Sequence, residues 1–196
     1  MILAIDTSTP VAGFALVSPS ETIVRALESS DGHAQKLFLE IESLLAEAGA
    51  RLQDIECFAA GAGPGSFTGV RVALAAAKGL AHALERPACA VSNLAALAWF
   101  GTKALRAPVL DARRGEVYGA VYDADLNLVR EECVTPLDRF LAGVPAEAEV
   151  IRAASQHPVV AIGQIALQRY ERGQAVDAAI PEANYIRPPD IREPAR

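Results

Sequence analysis

Apolar and polar positions along the first hundred residues follow two different periods. Alternating apolar segments separated by turns rich in Ser and Pro predict three short strands, over residues 2–7, 11–17 and 22–27. Apolar residues then recur at spacings of three and four from Ala34 to Ala48, which predicts an amphipathic helix that Gly49 ends. The chain therefore begins as a meander followed by a helix.

The pattern continues with strands and helices in alternation. Residues 55–60 predict a fourth strand, the string GPGSFTG at 63–69 leads into a long helix over about 70–84, and a strand at 89–92 precedes a third helix at 94–100. A second series then starts. We predict a strand that ends at residues 109–111, further strands over 117–122, 128–134 and 159–162, a short helix at 136–141 and a helical segment at 163–170.

The two series share the order of three strands and then a helix, and each first strand ends in an aspartate, Asp6 or Asp111. This duplicated βββαβα layout is similar to the actin, hexokinase and Hsp70 (ASKHA) superfamily, an α/β fold of two lobes around a cleft. We place a first lobe at 1–107 and a reduced second lobe at 108–196, whose proline-containing tail is extended. A shared fold does not by itself give a function.

The long helix after GPGSFTG is apolar on nearly all sides. A helix of this kind must be covered on both faces, and one sheet can cover only one of them. A strip that includes Ala75 and Gly79 is therefore either covered by another part of this chain or available to a partner. Leu39 lies off the apolar stripe of the preceding helix and raises the same question.

Composition narrows the classes of function. The 196 residues carry a net charge of −6, with 24 acidic and 18 basic side chains and no basic run, which argues against a chain that grips nucleic acid by itself. Three separated cysteines predict reduced thiols. The sequence shows neither a signal peptide nor an apolar run long enough to span a membrane, so we expect a cytoplasmic protein.

Three positions are candidates for binding a nucleotide or another anion. Ser66 stands where the GPGSFTG turn enters its helix, so the hydroxyl either caps that helix or accompanies a bound anion. Asp6 and Asp111 stand at the strand ends that approach phosphates and metal in the ASKHA superfamily; each carboxylate alternatively braces its own turn. The hairpins beside them are poor in glycine for phosphate clamps.

The histidines do not form a recognisable metal motif. His33, His82 and His157 are far apart, and no HxxxH or HExxH pair occurs. A metallopeptidase is therefore poorly supported, and no metal or cofactor is expected. A small ATP-dependent kinase that uses Asp6 or Asp111 with magnesium stays open as the alternative to a non-catalytic role.

Six segments of the chain carry a resemblance to a known family: MILAIDTSTPVAGFAL, SSDGHAQKLFLEIESLL, GAGPGSFTGVRVALAAAKGLAHAL, VSNLAALA, LDARRGEVYGAVY and YIRPPD. Together they closely resemble the TsaB (YeaZ) family. The resemblance implies a bacterial subunit of the system that forms threonylcarbamoyladenosine beside the anticodon of tRNAs reading ANN codons. It implies a non-catalytic paralogue of the transferase TsaD that pairs with TsaD through the first-lobe helices and supports binding of the ATPase TsaE. It further implies a homodimer when the chain is alone and only indirect contact with tRNA. A nucleotide at a complex interface is compatible with it.

The resemblance also assigns positions. TsaD-like proteins carry a metal-binding HxxxH in a context similar to VNHLEGH, and Asn93 and Leu97 stand here in place of its two histidines. Neither side chain can replace an imidazole as a metal ligand. The expected partner surface lies on the first-lobe helices, with five candidate residues: Leu39, Val72, Ala75, Ala76 and Gly79.

Overall fold

The computed structural model describes residues 1–28, 33–152, 154, 156–175 and 182–186. The first series of elements agrees with the sequence pattern in order and type. Its elements are β1 (Ile2–Asp6), β2 (Val11–Val17), β3 (Thr22–Glu28), α1 (His33–Glu47), β4 (Cys57–Gly61), α2 (Phe67–Ala83), β5 (Ala88–Val91) and α3 (Asn93–Ala98). A single 3₁₀ turn, Leu52–Asp54, lies between α1 and β4.

The second series repeats the beginning of the first. Its elements are β6 (Leu105–Arg113), β7 (Glu116–Asp123), β8 (Leu128–Pro136), α4 (Leu137–Ala142), β9 (Glu149–Ile151) and α5 (Val159–Glu171). The strands form two sheets, one of five strands in the order β3-β2-β1-β4-β5 and one of four in the order β8-β7-β6-β9. In each sheet an antiparallel meander is extended by parallel pairing of its first strand, β1 with β4 and β6 with β9. The duplicated ASKHA-like α/β fold is thereby confirmed.

Helices cover both faces of the first sheet. On one face, Leu3, Ile5 and Phe14 belong to a buried cluster with apolar residues of α1 and α2. On the other face, Ile2 and Ala4 meet α5. Because strand side chains alternate between faces, neighbouring residues of β1 enter different clusters. This burial fixes the carboxyl ends of β1, β4 and β5 at one edge of the sheet.

The prediction of a strand over residues 159–162 is wrong. These residues form the first turn of α5, which is buried against β1, β2 and β4. A short apolar run does not distinguish a buried strand from a helix that is covered on nearly all sides, since neither shows a polar stripe. The sequence also missed the short strand β9, and α2 begins three residues earlier than expected, directly after its cap Ser66.

The boundary placed at residue 107 falls inside β6, whereas the change from the first sheet to the second occurs between β5 and β6. Helix α5 belongs to the C-terminal half of the chain but packs on the first sheet, and α3 lies between α5 and the second sheet. The division into lobes at 1–107 and 108–196 stays a prediction.

Candidate functional site

The GPGSFTG loop is fastened to the turn that follows β1. The Thr7 hydroxyl donates to the carbonyl of Gly69 at 2.6 Å, and the amide of Ser66 donates to the carbonyl of Ser8 at 2.8 Å. The Ser66 hydroxyl accepts from the amide of Gly69 at 3.3 Å and so caps α2. These are the contacts of a capped turn; anion binding at Ser66 stays a prediction.

Two glycines of the loop are required by this close approach. A Cβ on Gly69 would lie 1.9 Å from the carbonyl oxygen of Thr7, and one on Gly65 would lie 2.8 Å from the Cβ of Ser8. Since no side-chain rotation can move a carbonyl oxygen away, any larger residue at 69 must push α2 from β1. The two glycines therefore allow the loop to pack closely against the turn that follows β1.

Asp6 lies at the carboxyl end of β1 and is fully buried. Its Oδ1 accepts from the amide of Ser8 at 2.9 Å, while its Oδ2 has no hydrogen-bond partner among the described residues. A Cβ on Gly61, at the end of β4, would lie 2.8 Å from both Asp6 Oδ1 and Asn93 Oδ1. The missing side chain of Gly61 thus makes room for these two polar side chains.

Asn93 connects the loop, the turn and the start of α3. Its Oδ1 accepts from the amide of Gly63 at 3.3 Å and its Nδ2 donates to the hydroxyl of Ser8, and the residue is only 4% exposed. Leu97, one turn later, is buried and offers no donor atom. Both ends of the Asn93 amide are used in structural contacts and Leu97 is a hydrocarbon, so neither side chain offers a free ligand atom for a metal ion.

Asp111 lies in the other sheet and is exposed. Its Oδ1 accepts from the amide of Arg113 at 2.7 Å, beside a bulge in the pairing of β6 with β7. The same carboxylate-to-amide bond, two residues ahead, joins Asp6 to Ser8. Each aspartate therefore accepts the same local hydrogen bond in its own turn of the duplicated unit, and nucleotide binding at Asp6 or Asp111 stays a prediction.

The outer surface of α1 and α2 carries exposed apolar and small residues. Phe38 and Leu39 of α1 are 55% and 61% exposed. On α2, Ala75 and Gly79 are exposed, and a Cβ on Gly79 would meet nothing within 4 Å. Two other candidates, Val72 and Ala76, are half-buried and pack at the edge of the first-sheet core. The strip that includes Ala75 and Gly79 is thus uncovered among the described residues.

Sequence reasoning missed the hydrogen bonds around Glu132 on β8. This carboxylate accepts from the hydroxyls of Ser92 and Tyr122 and from the side-chain amide of Asn184. Burial, together with the charge of Glu132, raises the pKa of Tyr122. No spacing in the sequence indicated that these four residues meet, because they come from β5–α3, β7, β8 and the C-terminal tail.

The tail segment 182–186 brings an aromatic side chain to the start of α2. The ring of Tyr185 lies 5.3 Å from that of Phe67, centroid to centroid, and Arg71 Nε donates to its hydroxyl at 2.8 Å. The guanidinium of Arg71 also lies 3.9 Å from the centre of the Phe67 ring. The three side chains form a partly exposed stack at the N-terminal end of α2, where Arg71 lies one turn before Ala75.

Two further observations concern only the described ranges. No group of three His, Cys, Asp or Glu side chains is arranged there to hold a metal ion. None of the helices in those ranges combines the length and apolar character needed to cross a membrane.

Comparisons with known proteins place this geometry in a family. Residues 25–184 match the family model TsaD, described as tRNA N6-adenosine threonylcarbamoyltransferase. A tRNA threonylcarbamoyladenosine biosynthesis protein TsaB from Escherichia coli is 39% identical over 64% of this chain and 56% of its own length. The TsaB of Haemophilus influenzae is 38% identical over 84% of this chain and 67% of its own length. The chain thus spans little more than half the length of the first relative.

A solved structure agrees over almost the whole chain. The YeaZ protein of Pseudomonas aeruginosa superposes with a TM-score of 0.80 at 31% identity, covering 94% of this chain and 98% of that one. Sequence and fold therefore lead to the same group. The chain belongs to the family that the TsaD model describes and, within it, to the TsaB (YeaZ) proteins.

Proposed function

We propose that this chain is a non-catalytic subunit of the bacterial system that forms threonylcarbamoyladenosine in tRNA. Its named relatives are biosynthesis proteins of that modification, and the family model that it matches describes the transferase. The observation that carries the proposal is the state of Asn93 and Leu97. The resemblance implies two metal-binding histidines at these positions in TsaD-like proteins, whereas this chain has an amide bonded to Ser8 and Gly63 and a buried hydrocarbon there.

The partner in this proposal is a TsaD-like paralogue, which contacts the outer face of α2 and the neighbouring face of α1. Ala75 and Gly79 lack bulk, so another helix can approach α2 closely, and the exposed Phe38 and Leu39 add apolar area beside it. When the paralogue is absent, the same surface pairs two copies of this chain. A TsaE-like ATPase then binds the pair, and tRNA contacts this subunit only indirectly.

The chain in this proposal acts in the cytoplasm and holds no cofactor of its own. Asp6 is enclosed at the end of β1 and Asp111 is exposed in the other sheet, and each carboxylate is used in its own turn. Any nucleotide is therefore expected at an interface of the assembled complex. Calorimetry with ATP and magnesium distinguishes the kinase alternative, because micromolar binding by the isolated chain would favour that alternative.

Reconstitution tests the role of the subunit. The chain is mixed with the TsaD and TsaE proteins of the same organism, ATP, the threonylcarbamoyl donor and tRNA, and formation of the modified nucleoside is measured by mass spectrometry. We expect modification only when the chain is present. Full modification in its absence would reject the assigned role.

The variant Gly79→Arg tests the surface. The site is open, so the variant is expected to fold with an unchanged circular dichroism spectrum and to lose co-purification with TsaD. Glu85→Arg is a matched control, since it introduces the same side chain at an exposed position just beyond the helix. A folded Gly79→Arg chain that still forms the complex would contradict the proposed surface.

A further inference from the structure

The tail segment 182–186 contacts the rest of the chain at several points, and most of these contacts are directed into the protein. The amide of Asn184 donates to the carbonyl of Ala62 at 2.8 Å, and its side chain donates to Glu132. Ala183 packs against the core shared by α1 and α2, and Ile186 packs against the cluster of α3 and the second sheet. The segment thus contacts elements of both sheets.

Tyr185 is the aromatic residue of this segment, and its side chain is exposed. Its ring is 42% exposed and stacks on Phe67, which is 37% exposed. The hydroxyl is satisfied by Arg71. Exposed aromatic rings stacked with an arginine have the composition that is enriched at the centres of protein interfaces, where such side chains carry much of the binding energy.

The stack continues the small-residue strip of α2. Phe67, Arg71, Ala75 and Gly79 follow one another at intervals of four residues, so each lies beside the next on successive turns of α2, while the row as a whole winds about 120° around the helix, from its flank at Phe67 to its outer side at Gly79. The distance from Phe67 to Gly79 is about 18 Å along the helix axis. A patch of that length fits inside an interface of ordinary size, which buries about 800 Å² on each partner.

We propose that Tyr185 is an anchor of the surface that binds the TsaD-like paralogue, and that Glu132 positions it through Asn184. This inference rests on the proposed function, because the stack adjoins the α2 surface of that proposal through Arg71 and Ala75. The small residues admit the partner helix, and the stack of Tyr185, Phe67 and Arg71 supplies the large buried side chains that Ala75 and Gly79 lack. Glu132 acts from the second sheet and does not itself touch the partner.

The first test removes the anchor. Tyr185→Ala is expected to weaken binding to the TsaD protein about 10-fold or more, measured by calorimetry, while thermal melts show that the isolated chain stays folded at the temperature of the binding measurement. Tyr185→Phe keeps the ring and loses only the bond with Arg71, so its affinity is expected to stay within about 3-fold of the wild type. Wild-type affinity in Tyr185→Ala would overturn the inference.

The second test concerns the positioning residue. Asn184→Asp places a second carboxylate against Glu132, which repels the tail, and is expected to weaken binding about as much as Tyr185→Ala. In the double variant Glu132→Gln with Asn184→Asp, the new amide donates to the new carboxylate, which restores the pairing. We expect the double variant to recover affinity to within about 3-fold of the wild type. Failure of this rescue in a folded double variant would contradict positioning by Glu132.

Gly79→Arg separates this inference from the proposed function. If Gly79→Arg abolishes binding and Tyr185→Ala does not change it, the α2 surface is correct and the tail is no part of it. If folded Gly79→Arg binds as the wild type does, the proposed surface itself is wrong, whatever the tail variants show.

Discussion

Helix α2 contains two glycines that are expected to respond in opposite ways to the same substitution. In Gly69→Ala the new methyl group would lie 1.9 Å from the carbonyl oxygen of Thr7 and 2.7 Å from its carbonyl carbon. In Gly79→Ala nothing lies within 4 Å of the methyl group. Comparing the two variants therefore separates two effects on stability: the clash between α2 and the turn after β1, and the general effect of replacing a glycine in a helix.

The size of each effect follows from these contacts. To relieve the clash at Gly69, the first turn of α2 must move on the order of 1 Å, since carbon and oxygen atoms approach to about 3.3 Å. That movement weakens the bonds from Thr7 to Gly69 and from Ser66 to Ser8, each worth about 1 kcal/mol, and adds about 1–3 kcal/mol of overpacking. We expect Gly69→Ala to lose about 2–5 kcal/mol of the free energy of unfolding.

Gly79→Ala is expected to gain up to about 1 kcal/mol, because alanine favours the helical backbone. The measurement is urea unfolding followed by far-ultraviolet circular dichroism, at two protein concentrations so that any self-association becomes visible. Equal stability of Gly69→Ala and the wild type would refute the contact between α2 and Thr7. A loss of stability in Gly79→Ala would refute the open outer face of α2.

Three other predictions concern separate regions. Gly13→Ala is expected to destabilise the chain by about 1–3 kcal/mol, because a Cβ there would lie 2.2 Å from the ring of His157, and His157→Ala in the same chain should cancel most of the loss in thermal melts. Phe140→Ala removes the fully buried ring that α4 packs against the second sheet, and we expect the free energy of unfolding measured in urea to fall by about 3–5 kcal/mol. A fall below about 1 kcal/mol would contradict that burial. Burial, with Cys89 nearby, raises the pKa of Cys57 to about 12, whereas an unfolded thiol titrates near 8.5. The unfolded chain therefore releases this proton first, so stability falls as the pH rises from about 9 to 12, and Cys57→Ala should make the fall less steep; an unchanged slope would contradict the shift.

The order of the first elements could be predicted from apolar segments bounded by clear turns. Strand β3 and helix α1 each have one exposed side, whereas β1 and β2 are buried on both faces and were marked by the Ser- and Pro-rich turns that bound them. The observed limits of these four elements lie within one or two residues of the expected ones. Helix α5 could not be predicted at its start, because residues 159–162 are covered on nearly all sides and show no polar stripe. The strand β9 has only three residues, too few to show a period.

The candidate site could be predicted only in part. The family resemblance indicated that Asn93 and Leu97 stand in place of two histidines, and the duplicated strand ends identified Asp6 and Asp111. The pattern did not indicate that Asn93 bonds to both Ser8 and Gly63, which come from segments far apart in the sequence. It also gave Glu132 no role, since its three hydrogen-bond donors are brought together only when both sheets and the tail are in place.

The sequence by itself determined the duplicated order of strands and helices, because the side-chain period follows directly from the geometry of each element. It also determined the absence of an imidazole pair at positions 93 and 97. The tertiary structure decided which side of α2 stays open. Helices α1 and α2 share one face of the first sheet, and α5 covers the opposite face, so the outer side of α2 is left uncovered among the described residues. It further decided that Tyr185 lies beside Phe67 and Arg71, because only the packed core brings residues more than a hundred positions apart into contact.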